Sequence, residues 1–144
     1  MIMINDIDSV KRLGDGPIVI VDDDEMQRDI LQSCYERSEL TDELVLLSSG
    51  TELLEYFKVV LETNKKTPSI VMIDINMPGL NGHELVKKIR EHDEFKVIPV
   101  IVMLTASNFD KDKQMALENG ANGFLTKPSD VNIYISLFNN LKTS

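Results

Sequence analysis

The stretch Ile18-Val19-Ile20-Val21-Asp22-Asp23-Asp24-Glu25 passes from four apolar residues to four acidic ones without a break. An uninterrupted apolar tetrad reads as a strand buried on both faces, as in a parallel sheet, because a half-exposed strand alternates. Adjacent carboxylates repel one another, so the acidic cluster at the exit of that strand calls for a counter-charge.

Working outward, short apolar runs recur at Leu44–Leu47, 70–73 and 98–104, with a weaker one at Gly123–Thr126. Pro17 and Pro99 fall at strand starts, where a missing N–H costs little. Amphipathic stretches separate the runs. Met26, Ile30, Leu31 and Cys34 form one stripe, Leu53, Leu54, Phe57, Val60 and Leu61 a second, and Leu85, Val86 and Ile89 a third. Asp24, with Gln27 three residues on, suits the N-cap of the first helix. Residues 110–119 make a poorer helix with Met115, Ala116 and Leu117 as apolar content and Gly120 as its C-terminal cap. The last helix is expected over 129–141 with Ser129 as N-cap. Five strands alternating with five helices predict an α/β protein with a parallel, doubly wound sheet and right-handed crossovers. Residues 1–16 read as an N-terminal extension and 17–144 as one domain, with no linker to a second.

Composition narrows the functional classes. The chain has 144 residues, 42% hydrophobic and 27% charged, the balance of a globular domain. A net charge of −9 opposes binding to phosphate backbones and anionic lipids, so neither nucleic acid nor membrane is expected as a partner. No apolar run approaches the ~20 residues of a membrane span, and the acidic, polar start is unlike a signal peptide, so a cytoplasmic location is expected. One cysteine excludes an internal disulfide, and with two scattered histidines it makes no zinc site. Cys34 reads as a small core residue, and His83 and His92 as surface helix residues.

Ligands of open parallel sheets sit beyond the C-terminal strand ends. Here those ends carry Asp22 and Asp23, then Asp74, then Thr105-Ala106, then Lys127-Pro128. Each residue alone has a structural explanation: a strand-end aspartate, a capping threonine, a solvated loop lysine. Together, three carboxylates need a cation, and hard oxygen ligands with open positions suit Mg2+, which bridges to phosphate oxygens. Lys127 and Thr105 would then face an incoming phosphoryl group, and Asp74 is the candidate carboxylate nucleophile.

The segments IVIVDDDEMQRDIL, SIVMIDINMPGLNGHEL, VIVMLTAS and NGFLTKPSD closely resemble the receiver domain of two-component response regulators, over about residues 16–141. The resemblance implies a stand-alone, CheY-like regulator of flavodoxin-like fold, with that family's strand order 2-1-3-4-5. It implies that Asp74 accepts a phosphoryl group from a sensor histidine kinase or phosphotransfer protein and loses it by self-dephosphorylation, without turnover of an external substrate. Asp22, Asp23, Asp74 and the main-chain carbonyl of Asn76 would hold Mg2+. Thr105 and Lys127 would contact the phosphoryl oxygens, small Ala106 would leave room, and Thr105 and Phe124 would form the switch. Pro78 and Gly82 would shape the turn after Asp74, and Lys127-Pro128 would be a cis peptide. Asn76 and Ser107, both small and polar, would gate the attacking water loosely, giving a short to moderate phosphoryl lifetime. One residue more than usual lies between Pro99 and Thr105, which suggests a bulge or a shifted strand start.

Other readings compete. A haloacid-dehalogenase-type phosphatase also uses a strand-end aspartyl nucleophile with Mg2+, but it needs a second Asp where this chain has Asn76, and more length for a cap. A flavodoxin-like electron carrier needs a Ser/Thr/Gly-rich phosphate loop after the first strand, which is missing. An unphosphorylated pseudo-receiver scaffold sits poorly with Asp74, Thr105 and Lys127 all in place. For output, Val131, Tyr134, Ile135, Phe138 and Leu141 form an arc wide enough to cover the sheet. Ile133 and Leu137 then predict an exposed apolar strip for a homodimer or partner contact, beside a fourth helix with few apolar anchors.

Overall fold

The computed structural model describes residues 10–95, 98, 100–106 and 110–142. Strand β1 (Ile18–Val21) leads to helix α1 (Glu25–Arg37), and the alternation continues through β2 (Leu44–Leu47), α2 (Gly50–Thr63), β3 (Ile70–Asp74), α3 (Gly82–Glu91), β4 (Ile101–Thr105), α4 (Asp110–Glu118), β5 (Gly123–Thr126) and α5 (Val131–Asn140). The five strands form one sheet in the order β2-β1-β3-β4-β5, with every pairing parallel. The parallel, doubly wound expectation holds, as does the order that came with the resemblance.

The period of two along each strand divides the core into two layers. Val19, Val21, Val71, Ile73, Ile101, Met103 and Phe124 meet α2, α3 and α4 on one face. Ile18, Ile20, Ile70, Met72, Val102, Leu104 and Leu125 meet α1 and α5 on the other. Burying each such side chain stabilises the fold by roughly 1.5–3 kcal/mol relative to leaving it in water, in keeping with a β1 that is apolar throughout and a β3 that is apolar up to Asp74. Cys34 lies in the second layer, and burial raises its thiol pKa, so it is an inert core residue. Val10 is buried there too, so the part of the extension that is described packs onto the domain.

Two boundaries differ from expectation. β4 starts at Ile101, not at 98: the N–H of Ile98 donates to the carbonyl of Phe95 in a turn, at 3.1 Å, and the Ile98 carbonyl accepts from Arg90 Nη1 at 2.6 Å. Neither group is therefore free for the ladder. The expectation for Pro99 lies outside the described residues. α5 is capped by Asp130, whose carboxylate accepts from the Asn132 N–H at 2.9 Å, so Ser129 stays outside the helix. Asp24 does cap α1, accepting from the Met26 N–H at 3.0 Å. Gln27 instead donates to the Tyr134 hydroxyl at 2.7 Å, tying α1 to α5.

α5 also corrects the predicted output strip. Tyr134, Leu137, Phe138 and Leu141 are buried, whereas Val131 and Ile133 are each 40% exposed. The buried set follows the i, i+3, i+4, i+7 spacing of one helix face. α1 packs alongside α5, so this face is covered by a helix as well as the sheet, and Leu137 falls inside it. Leu137 is therefore not part of an exposed strip; of the two residues expected there only Ile133 is exposed, and Val131, expected in the arc over the sheet, is exposed beside it in the first turn.

Arg90, unremarked in the sequence, joins three segments. Its guanidinium donates to the carbonyls of Ile98 and Gly120 and to Asn122 Oδ1, and that same Oδ1 accepts the Ile101 N–H. Hydrogen bonds from charged donors are worth a net ~1.5–3 kcal/mol each. Arg90→Met is expected to destabilise the domain by about 2 kcal/mol or more in urea denaturation, with an unchanged m-value. A loss under ~0.5 kcal/mol would show that the network carries no stability.

Candidate functional site

The strand ends converge as their register requires. Val21 of β1 pairs with Ile73 of β3, so Asp22 and Asp74 leave adjacent strands at the same level. The Asp22 N–H still donates to Leu47 of β2 and the Ile75 N–H to Leu104 of β4, which fixes both backbones. Carboxylate oxygens of Asp22, Asp23 and Asp74 all lie within 4.8 Å of one another. Asp22 and Asp74 are 1% and 4% exposed, whereas Asp23 is open to solvent.

Lys127 arrives from the end of β5 and stands between the two buried carboxylates. Its Nζ is 3.0 Å from Asp22 Oδ2 and 3.1 Å from Asp74 Oδ2. The remaining oxygens are held by backbone: Asp22 Oδ1 accepts from the Asp24 N–H at 3.0 Å, and Asp74 Oδ1 from the Asn76 N–H at 3.1 Å. Arg28, one turn into α1, donates to the Asp22 carbonyl at 2.7 Å. Arg28 escapes a reading by periodicity; an arginine one helical turn beyond an acidic strand end is the sequence signal for it.

Burial raises the pKa of Asp74 above the ordinary carboxylate value, and Lys127 offsets only part of that effect while Asp22 adds to it. For Lys127, burial by itself would lower the pKa, but the hydrogen bond to Asp22 and the charge of Asp74 outweigh it and hold the ammonium firmly protonated. Burial likewise raises the pKa of the Tyr134 hydroxyl, which lies near Lys127. The three carboxylates and one ammonium are thus short of neutrality by the charge of one divalent cation. The donor set fits one: hard carboxylate oxygens, close together, with one ligand at the solvent edge.

Thr105 is fully buried at the end of β4, one position beyond Leu104, which registers with Asp74. Its carbonyl accepts the Lys127 N–H at 2.6 Å. Phe124 is buried in β5 opposite Met103, with Lys113 Nζ of α4 5.9 Å from its ring centroid. Ala106 and Asn76 are both exposed at the mouth of the site. Ser107 lies outside the described residues. Gly82 is required by close approach: a Cβ there would sit 2.6 Å from the Asp74 carbonyl oxygen and 2.7 Å from Ile75 Cα.

Two expectations fail here. The Lys127–Pro128 bond is trans, like every described peptide bond. Trans is the lower-energy isomer by ~0.5–1 kcal/mol, and in it Lys127 already reaches both carboxylates, so the geometry supplies no compensation for the cis form. His83 is not a surface residue but 7% exposed, with Nε2 3.2 Å from Asp112 Oδ1 on α4. A histidine directly after Gly82 is drawn inward with the turn. His92 is exposed as expected.

A family model described as "Response regulator receiver domain" matches residues 18–137. The "Probable methanogenesis regulatory protein FilR2" of Methanothrix harundinacea is 30% identical over 111 residues, covering 77% of this chain and 71% of that protein. The solved structure of "the bacteriophytochrome response regulator AtBRR" superposes with a TM-score of 0.70 at 28% identity, covering 90% of this chain and 94% of that one. The "Mn(2+)-bound form of response regulator Rcp1" gives a TM-score of 0.70 over 86% of this chain and 89% of that one; at 23% identity it supports the fold alone. No described helix is long and apolar enough to cross a membrane.

The raised Asp74 pKa sets a pH dependence. A carboxyl whose folded pKa exceeds its unfolded value opposes folding increasingly as pH rises from about 4 through the raised value. In EDTA, Asp74→Asn should therefore gain stability relative to the parent over that interval. Mg2+ should stabilise the parent, by about 1.4 kcal/mol at ten times its Kd, and the variant much less. Thermal unfolding from pH 4 to 8, with and without Mg2+, checks this; parallel curves for parent and variant would contradict it.

Proposed function

This chain belongs to the response regulator receiver domain family of two-component signalling, and from that premise we propose that Asp74 is the phosphoacceptor of a phosphorylation-controlled switch. The observation that carries the reading is Lys127 Nζ held between Asp22 and Asp74 at the C-terminal edge of the sheet. Receiver domains take their phosphoryl group from sensor histidine kinases or phosphotransfer proteins and are not turnover enzymes on external substrates. Here an Asp74 oxygen forms the O–P bond as the N–P bond of a phosphohistidine breaks, and the released electron pair stays on the imidazole nitrogen, which takes up a proton.

Asp22, Asp23, Asp74 and the Asn76 carbonyl would hold Mg2+, whose charge offsets that of the incoming phosphoryl oxygens. Asp22 has a second duty: by sharing Lys127 with Asp74 it keeps the ammonium beside the acceptor. On phosphorylation Lys127 exchanges a carboxylate partner for a phosphoryl oxygen, and Thr105 donates to another. Phe124, between Thr105 and α4, passes the change outward. We read 17–144 as the receiver and 1–16 as an extension of it. Asn76, where a haloacid-dehalogenase-type enzyme would need a general acid, disfavours the phosphatase alternative. Of the output residues first predicted, Ile133 remains for a homodimer or partner contact.

Incubation with acetyl phosphate and Mg2+ should add one phosphoryl group by intact mass, and neither Asp74→Asn nor EDTA-treated parent should gain it. Uptake by the variant, or in EDTA, would refute the assignment. Ile133→Glu should leave that phosphorylation unchanged while weakening phosphorylation-dependent self-association or partner binding in sedimentation velocity; unchanged association in both states would exclude α5 as the contact.

A further inference from the structure

α4 is held in an unusual way for a core helix. Its only buried residue is Ala116. A cavity of about 820 Å3 opens between its first turns and the turn that follows Asp74, with Asn76, Met77, Pro78, His83 and Met115 in its wall. Apolar packing therefore gives the start of α4 little purchase. Two adjacent polar side chains compensate, one on each flank. Asp112 meets His83 Nε2 of α3 at 3.2 Å, and Lys113 lies over the Phe124 ring of β5.

The α3 end of this contact is rigid. Gly82 is wedged against the backbone of Asp74 and Ile75, and its N–H donates to the Ile75 carbonyl at 3.0 Å. His83 follows directly and is fixed with it. Its Nδ1 is buried and has no hydrogen-bond partner among the described residues. Among the described residues nothing on that side competes with Asp112 for the ring, and Nε2 makes its one polar tie.

We propose that His83 and Asp112 are a positioning pair: they pin α4 to the turn after the phosphoacceptor, so that a change at Asp74 reaches α4 through α3 as well as through Phe124. The coupling half of this rests on the phosphoacceptor reading above; the pinning half does not. A hydrogen bond to a charged group at the edge of solvent is enough to change local opening by about five- to tenfold. The energetic route is a chain of bonded neighbours and hydrogen bonds, Asp74–Ile75–Gly82–His83–Asp112, and not mere proximity.

Amide hydrogen exchange of residues 115–118 tests the pinning in metal-free buffer. His83→Leu and Asp112→Ala should each speed exchange there about fivefold or more, while α1 and β3 amides stay unchanged. The double variant should be no faster than either single, and Asp112→Asn, which keeps the acceptor, should restore most of the protection. Unchanged exchange in the singles, additive effects in the double, or no rescue by Asn overturns the proposal. A second arm adds beryllium fluoride and Mg2+ as a phosphoryl mimic. The mimic should bind parent and Asp112→Ala alike, but the exchange response of 115–118 should fall at least twofold in the variant. An undiminished response overturns the coupling. Failure of the parent to bind the mimic instead refutes the phosphoacceptor reading, and the first arm still decides the pinning.

Discussion

One ammonium stands between two buried carboxylates, and the rest of the site is arranged around that fact. Bringing Asp22 and Asp74 together at 1% and 4% exposure is costly, because each loses water and each repels the other. Lys127 relieves part of the cost but cannot neutralise three carboxylates. With three carboxylates against one ammonium the site carries an excess of two negative charges, which a divalent cation would offset and so make room for an anionic phosphoryl group under the function proposed above. A binding site that destabilises its own empty state has, in that imbalance, a driving force for the ligand it takes.

The sheet makes this arrangement possible. Parallel strands buried on both faces can carry polar residues only at their ends, and register then aligns those ends in a row. Val21 opposite Ile73, and Asp74 opposite Leu104, put the acidic and hydroxyl groups at one edge. β5, registered through Thr126 with Thr105, delivers Lys127 to the same place. The central position of β1 and β3 in the order β2-β1-β3-β4-β5 means that both aspartates are flanked by strands on either side. The backbone on which they stand is thus among the least able to move.

Most of this was legible because it rests on local rules. Apolar tetrads announce buried strands, and an acidic cluster or a lone strand-end Asp74 cannot be explained by strand chemistry when several converge. What escaped the sequence depends on neighbours distant in the chain. Arg90 looks like any helix arginine until the ends of α4 and the starts of β4 and β5 meet around it. Ile98 belongs to an apolar run and is withdrawn from its strand by that same guanidinium. Leu137 lies outside the arc drawn from the sheet alone and becomes core because α1 lies against α5. His83 reads as a polar helix residue, yet Gly82 pulls it inward and Asp112 meets it there. In each case periodicity describes one helix facing one surface, and the error comes from a second surface.

The central claim is that the row of strand ends exists to form an acyl phosphate at Asp74 and nowhere else. Reductive trapping measures this directly, since borohydride converts an aspartyl phosphate into homoserine and leaves free carboxylates untouched. Protein phosphorylated in Mg2+, reduced, digested and sequenced by mass spectrometry should carry homoserine at position 74 alone. Homoserine at position 22 or 23, or none at 74 from protein that has taken up phosphate, would contradict the account.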